Sequence, residues 1–132
     1  MKPANFEYHA PTSIDEAVNL LSQFSDADGR IIAGGQSLVP TMAFRLARPA
    51  HLIDITGISA LDKISQEEDK LIIGAGVRHA AFHKPVCDGP LGLMLAEVVQ
   101  HIAHLPIRTR GTFCGALAHA DPASEWCALA VT

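Results

Sequence analysis

Cysteine is scarce in this chain. Its three copies, Cys87, Cys114 and Cys127, are odd in number and widely spaced. They form no CxxC pair, so they offer neither a zinc pattern nor an iron–sulfur pattern. Reduced thiols in a reducing compartment are expected. Charge of one sign is scarce too: 10 Lys and Arg stand against 14 Asp and Glu, a net charge of -4, with no basic or acidic run. Binding a phosphate backbone needs clustered Lys and Arg, so nucleic acid is excluded as a partner. Long apolar runs are missing. The longest, LGLMLAEVV, is broken by Glu97 and is far too short to span a bilayer. The N-terminal MKPANFEYHAPTS has no apolar core and does not read as a secretory signal. There is no internal repeat and no low-complexity segment. A soluble, cytoplasmic chain without a transmembrane segment is the expectation.

What is present suffices for a core. The 132 residues have the length of about one ordinary domain, 48% hydrophobic and 18% charged, which is not the composition of a disordered chain. FEYHAP (6–11) reads as extended and stops at Pro11. Ser13 and Glu16 form a capping box for a helix whose apolar stripe is Ile14, Ala17, Val18, Leu20, Leu21 and Phe24. That helix ends near Asp28-Gly29, and Arg30 to Ala33 reads as a strand. A short helix is predicted over Leu38 to Phe44, with Pro40 in its first turn. HLIDIT (51–56) reads as a strand, 58–61 as a turn or short helix, and residues 63–64 and 70–73 as a hairpin across QEED. Residues 79–86 form a short helix, and LGLMLAEVVQHIA (91–103) a buried one. IRTRGTFCGALAHADP (107–122) is a second glycine-bearing segment. A last helix is predicted from near Pro122, with Asp121 as its N-cap.

Two glycines, Gly34 and Gly35, follow the 30–33 strand and precede a helix. Without a Cβ the backbone N–H groups can approach a ligand closely, and a helix start adds free donors. Ser37 contributes a hydroxyl. This is a candidate pyrophosphate cradle, although a bare GG pair is most often an ordinary tight turn. GxxxxGK[ST] is absent. GAGVRH (74–79) carries His79 where the third glycine of a dinucleotide fingerprint belongs, and no βαβ unit follows, so the Rossmann reading is rejected. In the second segment, Thr112-Phe113-Cys114-Gly115 again offers backbone donors and a hydroxyl in a glycine-bearing turn. His119-Ala120-Asp121-Pro122 then sets a carboxylate at a helix start. Two anion cradles in one small domain suit a ligand with two phosphates.

AGGQSLVPTMAFRLARP and TRGTFCGALAHADPASEW resemble the two flavin-binding signatures of the FAD-binding subunit of molybdenum hydroxylases, the carbon monoxide dehydrogenase and xanthine dehydrogenase group. FEYHAPTSIDEAVNLL, HLIDITGI, LIIGAGVRHA and AEVVQHIAHLPIRTRGT resemble the same subunit in the same order. The resemblance implies an α+β, two-subdomain FAD-binding domain of the PCMH type, with residues 1–57 as one subdomain and 58–132 as the second, incomplete one. It implies FAD between them, held by Ala33, Gly34, Gly35, Gln36, Ser37 and Leu38 on one side. Thr112 and Gly115 would bind from the other side, with His119 and Asp121 near the ribityl chain or flavin ring. It also implies an oxidoreductase subunit, inactive alone, that takes electrons from a small 2Fe–2S subunit supplied by a large molybdenum-cofactor subunit and passes them to an external acceptor. The cofactor carries the redox chemistry, so no catalytic side chain and no metal ligand is predicted.

Two departures from the family pattern matter. Cys114 stands where the family carries glycine, with an expected cost of about 1 kcal/mol if that position needs φ > 0. Ala116 replaces a polar residue and removes a hydrogen bond worth about 0.5–1.5 kcal/mol. Together they are expected to weaken FAD binding by roughly ten- to a hundredfold. The family also continues beyond Thr132, so the chain reads as a fragment with exposed apolar surface near Val98, Ile102 and Leu129, prone to self-association or incomplete folding. The alternative function is therefore a remnant that keeps the fold but binds FAD weakly or not at all. His79 with His83, and His101 with His104, have helical spacing for a metal but lack a third ligand. Arg108 and Arg110 read as phosphate-steering groups, as contacts to a partner subunit or as solvated loop charges, and Trp126 and Phe44 are expected in the core.

Overall fold

The computed structural model describes Met1–Thr132. Its first half is a three-stranded parallel sheet with one helix packed on it. Strands β1 (Glu7–His9), β2 (Gly29–Ile32) and β3 (His51–Asp54) lie in the order β1-β3-β2. The register pairs Glu7 with His51 and Arg30 with Leu52. Helix α1 (Ile14–Phe24) starts where the capping box predicts: the Ser13 hydroxyl accepts from Glu16 N at 3.2 Å. The Glu16 carboxylate reaches one residue further back than expected, to Thr12 N at 2.8 Å. Parallel strands need a crossover, and α1 supplies it between β1 and β2. Ala17 of α1 packs with Ile53, Ile55 and Ile58 in a small buried cluster. Ile14, Val18 and Leu21 of the predicted stripe are exposed.

Helix α2 (Leu38–Ala43) follows β2. Met42 is buried, but Phe44, placed in the core by the sequence, is 65% exposed. The helix is only a turn and a half long, and Phe44 is the cap residue that turns away after it.

The second half opens with the antiparallel hairpin β4 (Ile64–Glu67) and β5 (Lys70–Ile73), followed by a 3-10 turn at His79–His83. Helices α3 (Gly89–His101), α4 (Leu105–Arg108), α5 (Phe113–His119) and α6 (Glu125–Ala130) complete it. The larger core lies here, built on Phe82, Leu95, Val99 and Trp126. The Phe113 and Trp126 rings stand 4.9 Å apart, and Phe82 and Trp126 5.2 Å apart, both tilted. Such aromatic pairs add about 0.5–1.5 kcal/mol each beyond the area they bury. Trp126 is fully buried, as expected. Ile102 is buried as well, whereas Val98 and Leu129 border an open apolar depression with Met94. Arg108, read as a phosphate-steering group or solvated charge, instead clasps the end of α3. Its Nη1 lies 3.0 Å from Ile102 O and 3.3 Å from Gln100 O.

Candidate functional site

Strand β2 ends at Ile32, and the chain reverses through Ala33–Ser37 before α2 begins. Gly35 has φ +69, a conformation glycine adopts without cost. Gly34 is required for a different reason. A Cβ there would lie 2.2 Å from Arg110 O and 2.5 Å from Gly111 Cα. The two halves of the chain thus meet backbone to backbone at Gly34. The N–H groups of Ala33, Gly34, Gly35, Gln36 and Ser37 donate to no backbone carbonyl. The Gln36 side chain pins the turn by donating to Gly34 O at 2.8 Å. The Ser37 hydroxyl makes no cap bond to α2.

The facing wall comes from the second glycine-bearing segment, which is a helix start rather than an open turn. Thr112 is the N-cap of α5, and its Oγ1 accepts from Gly115 N at 3.0 Å. A Cβ on Gly115 would stand 2.5 Å from that oxygen, so the cap and the glycine require one another. The Gly115 N–H is therefore already paired. Cys114 lies within α5 with ordinary helical backbone and is absent from the positive-φ residues, so the strain expected of it does not arise. Its Sγ lies 3.6 Å from Ile73 O, and burial pushes its thiol pKa up. His119 ends α5, exposed.

Between these walls runs a cleft of about 890 Å³, lined by Ala33, Gly34, Gly35, Gln36, Ser37 and Leu38 on one side and by Thr112, Gly115, Ala116 and His119 on the other. That volume sits at the upper end of the range for cofactor sites. Asp121 does not line it. Its carboxylate accepts from Ala123 N at 2.9 Å in the turn before α6, whose N-cap is Ser124 and not Asp121. A proline one residue after Asp121 reads as a helix start, but here it belongs to that turn.

Among the lining residues that the sequence did not assign to the cleft are Arg30, Arg48 and His79. Arg30 is paired with Asp28 at 3.0 Å. His79, 6% exposed, accepts from Trp126 Nε1 at 2.9 Å through Nδ1. The neutral ring therefore carries its proton on Nε2. Burial, only partly offset by Glu125, lowers its pKa to about 4. Its spacing to His83 suggested a metal pair, but His79 is committed to Trp126 and His83 Nε2 is buried without a partner. Only a tertiary contact 47 residues away defines this histidine, so no local motif announces it.

Residues 33–37, whose N–H groups donate to no backbone carbonyl, line the cleft, and the close approach at Gly34 leaves no space for a side chain. No helix is long and apolar enough to cross a membrane.

A family model described as the FAD binding domain in molybdopterin dehydrogenase matches residues 4–132. The chain is 43% identical over 125 residues to the caffeine dehydrogenase subunit beta of Pseudomonas sp. (strain CBB1), covering 95% of this chain and 42% of that one. To the carbon monoxide dehydrogenase medium chain of Hydrogenophaga pseudoflava it is 43% identical over 132 residues, covering 99% and 45%. A solved structure of that carbon monoxide dehydrogenase, a form lacking the Mo-pyranopterin moiety, superposes with a TM-score of 0.90 over 98% of this chain and 45% of that one, at 43% identity. Quinoline 2-oxidoreductase from Pseudomonas putida 86 superposes with a TM-score of 0.80, at 43% identity over 92% of this chain and 42% of that one. The chain spans less than half the length of the relatives it matches.

Proposed function

Because this chain belongs to the family of FAD-binding domains of molybdopterin dehydrogenases, we propose that its cleft holds FAD and that the chain works as the flavin-binding, electron-transferring part of a molybdenum hydroxylase. The observation that carries this reading is the run of backbone N–H groups from Ala33 to Ser37 that no carbonyl of the chain takes. Those groups bind the pyrophosphate, and the Ser37 hydroxyl adds a donor. Leu38 packs beside it. Thr112 and Gly115 form the opposite wall, where Thr112 keeps its hydroxyl proton to donate while its lone pair caps α5. His119 lies toward the ribityl chain or ring, and Asp121 reaches it only if the 120–124 turn moves. FAD, when bound, supplies the redox chemistry, and the protein supplies binding, orientation and exclusion of water.

The division near residue 57 rests on two buried clusters, one around Ile53 and one around Trp126, the first of which also takes in Ile58, Leu61 and Ala75 from beyond that boundary. The partners proposed are a large molybdenum-cofactor subunit and a small 2Fe–2S subunit, with the flavin passing electrons from the clusters to an external acceptor. A second reading, weak FAD binding by a remnant of such a subunit, is favoured by one observation: Ala116 lines the cleft and offers no side-chain hydrogen bond. Titration with FAD tests both. Wild type and Ala116→Asn are compared, and Gly34→Val serves as the blocked control. Near-stoichiometric binding by wild type supports the first reading. Tightening of about tenfold in Ala116→Asn from a weak starting point supports the second.

A further inference from the structure

Glu7 and His9 sit two apart on β1, so their side chains share one face of the strand. The parallel register sets His51 of β3 opposite Glu7, on the same face. Three potential ligand atoms, one from each residue, therefore converge, all within 4.8 Å of one another. His9 Nε2 lies 3.2 Å from His51 Nδ1, and His51 Nδ1 lies 3.5 Å from Glu7 Oε2. Zinc–ligand bonds of about 2.0–2.1 Å in a tetrahedron put neighbouring donor atoms about 3.3 Å apart. Both short separations match that edge.

Hydrogen bonding alone accounts for the cluster poorly. His51 Nδ1 carries at most one proton, yet it faces both His9 Nε2 and Glu7 Oε2. One hydrogen bond satisfies only one of those contacts, whereas a cation satisfies all three donor atoms once the exposed Glu7 carboxylate swings inward, since the widest separation, 4.8 Å, exceeds the roughly 4.1 Å that two zinc–ligand bonds span. The rings are also held in place. Phe24 stacks on His51 with centroids 3.9 Å apart and planes 11° apart, and on His9 at 4.8 Å and 25°. That stacking removes ring freedom before any ion arrives. Phe24 is the last residue of α1, so the end of that helix packs on both rings.

We propose that Glu7, His9 and His51 form a surface zinc-class site with one coordination position left to water. Two imidazoles and one carboxylate form a donor set that suits Zn²⁺ and its borderline neighbours better than calcium or magnesium. The ion ties β1 to β3 and clamps the end of α1, and none of its three ligands lines the cleft. It therefore staples the first subdomain and takes no part in electron transfer.

The test is titration of the tag-free full chain with Zn²⁺ against a chromophoric chelator, repeated with Co²⁺ as a spectroscopic reporter. One equivalent is expected, with the intense visible bands of four-coordinate Co²⁺ and a rise in melting temperature. Glu7→Gln and His9→Asn are each expected to weaken binding by at least the roughly tenfold that loss of even an outer-sphere partner costs. His101→Ala leaves it unchanged. Glu7 is exposed, so Glu7→Gln reports on binding even where changes at the more buried histidines disturb folding. Absence of binding, Co²⁺ bands of six-coordinate type, or binding indifferent to Glu7→Gln and His9→Asn overturns the proposal and leaves a Glu7–His51 ion pair.

Discussion

Gly34 is the residue on which the cleft most directly depends. The atoms a side chain would meet are the backbone of Arg110 and Gly111, which cannot rotate aside. Gly34→Val is expected to destabilise the chain by about 1–3 kcal/mol through overpacking and to weaken FAD binding more than tenfold. Thermal melts and FAD titration check the two effects separately. Cys114 makes the opposite case. Its helical backbone and its place against Ile73 and Gly74 mean that Cys114→Gly gains no relief from strain. It loses about 1 kcal/mol of helix propensity at most and leaves FAD affinity unchanged. Tighter binding in that variant contradicts this account of Cys114. Sequence alone identified Gly34 because two glycines after a strand are conspicuous. It misjudged Cys114, because the pattern names a residue type and not the backbone angle that residue adopts.

His79 makes a pH prediction whose sign can be worked out. Its folded pKa of about 4 lies below its ordinary 6.5, so the folded state resists protonation. The stability it contributes is complete above about pH 6.5 and is lost as pH falls toward 4. Protonation also places a hydrogen on Nδ1, where Trp126 already donates. Asp54 titrates in the acid range too. Its burial favours protonation, but hydrogen bonds from Tyr8 and Thr56 hold its pKa below the usual value. The test is therefore comparative: melting temperature from pH 7 to pH 4 falls less steeply in His79→Gln than in the wild type. Parallel slopes in the two proteins contradict the assignment.

At the scale of elements, the two N-caps separate stability from binding. Ser13 caps α1 and does not line the cleft, whereas Thr112 caps α5 and does. Ser13→Ala and Thr112→Ala should each cost about 1 kcal/mol, read as a fall in melting temperature. Only Thr112→Ala should also weaken FAD binding. The helix at Ser13 was legible because its capping box and apolar stripe are local and mutually consistent. The start of α6 was not. Asp121-Pro122 resembles a helix start, but Asp121 closes a turn and leaves Ser124 to cap. The helical start at Thr112 was equally hidden, because its N3 position holds Gly115 and not the glutamate that completes a capping box. The pairing of His9 with His51 could not be read at all. The residues are 42 apart, and only the parallel register around the α1 crossover unites them.

At the scale of the whole molecule, the cleft lies where the turn after β2 and the segment before α5 meet backbone to backbone at Gly34. One wall is a reversal with unsatisfied donors, and the other is a capped helix. The apolar depression bordered by Met94, Val98 and Leu129 shares no lining residue with the cleft; of the surface expected to be exposed, Ile102 is buried and Val98 and Leu129 are half-buried against the Trp126 core. The central claim is that this junction binds FAD. A visible absorption spectrum of the purified chain, taken before and after titration with FAD and gel filtration, tests it most directly. The account predicts flavin retained in near-stoichiometric amount by wild type and lost in Gly34→Val. A chain that is folded by circular dichroism yet retains no flavin at saturating FAD contradicts it, and Gly34-Gly35 is then no more than a tight turn between two packed halves.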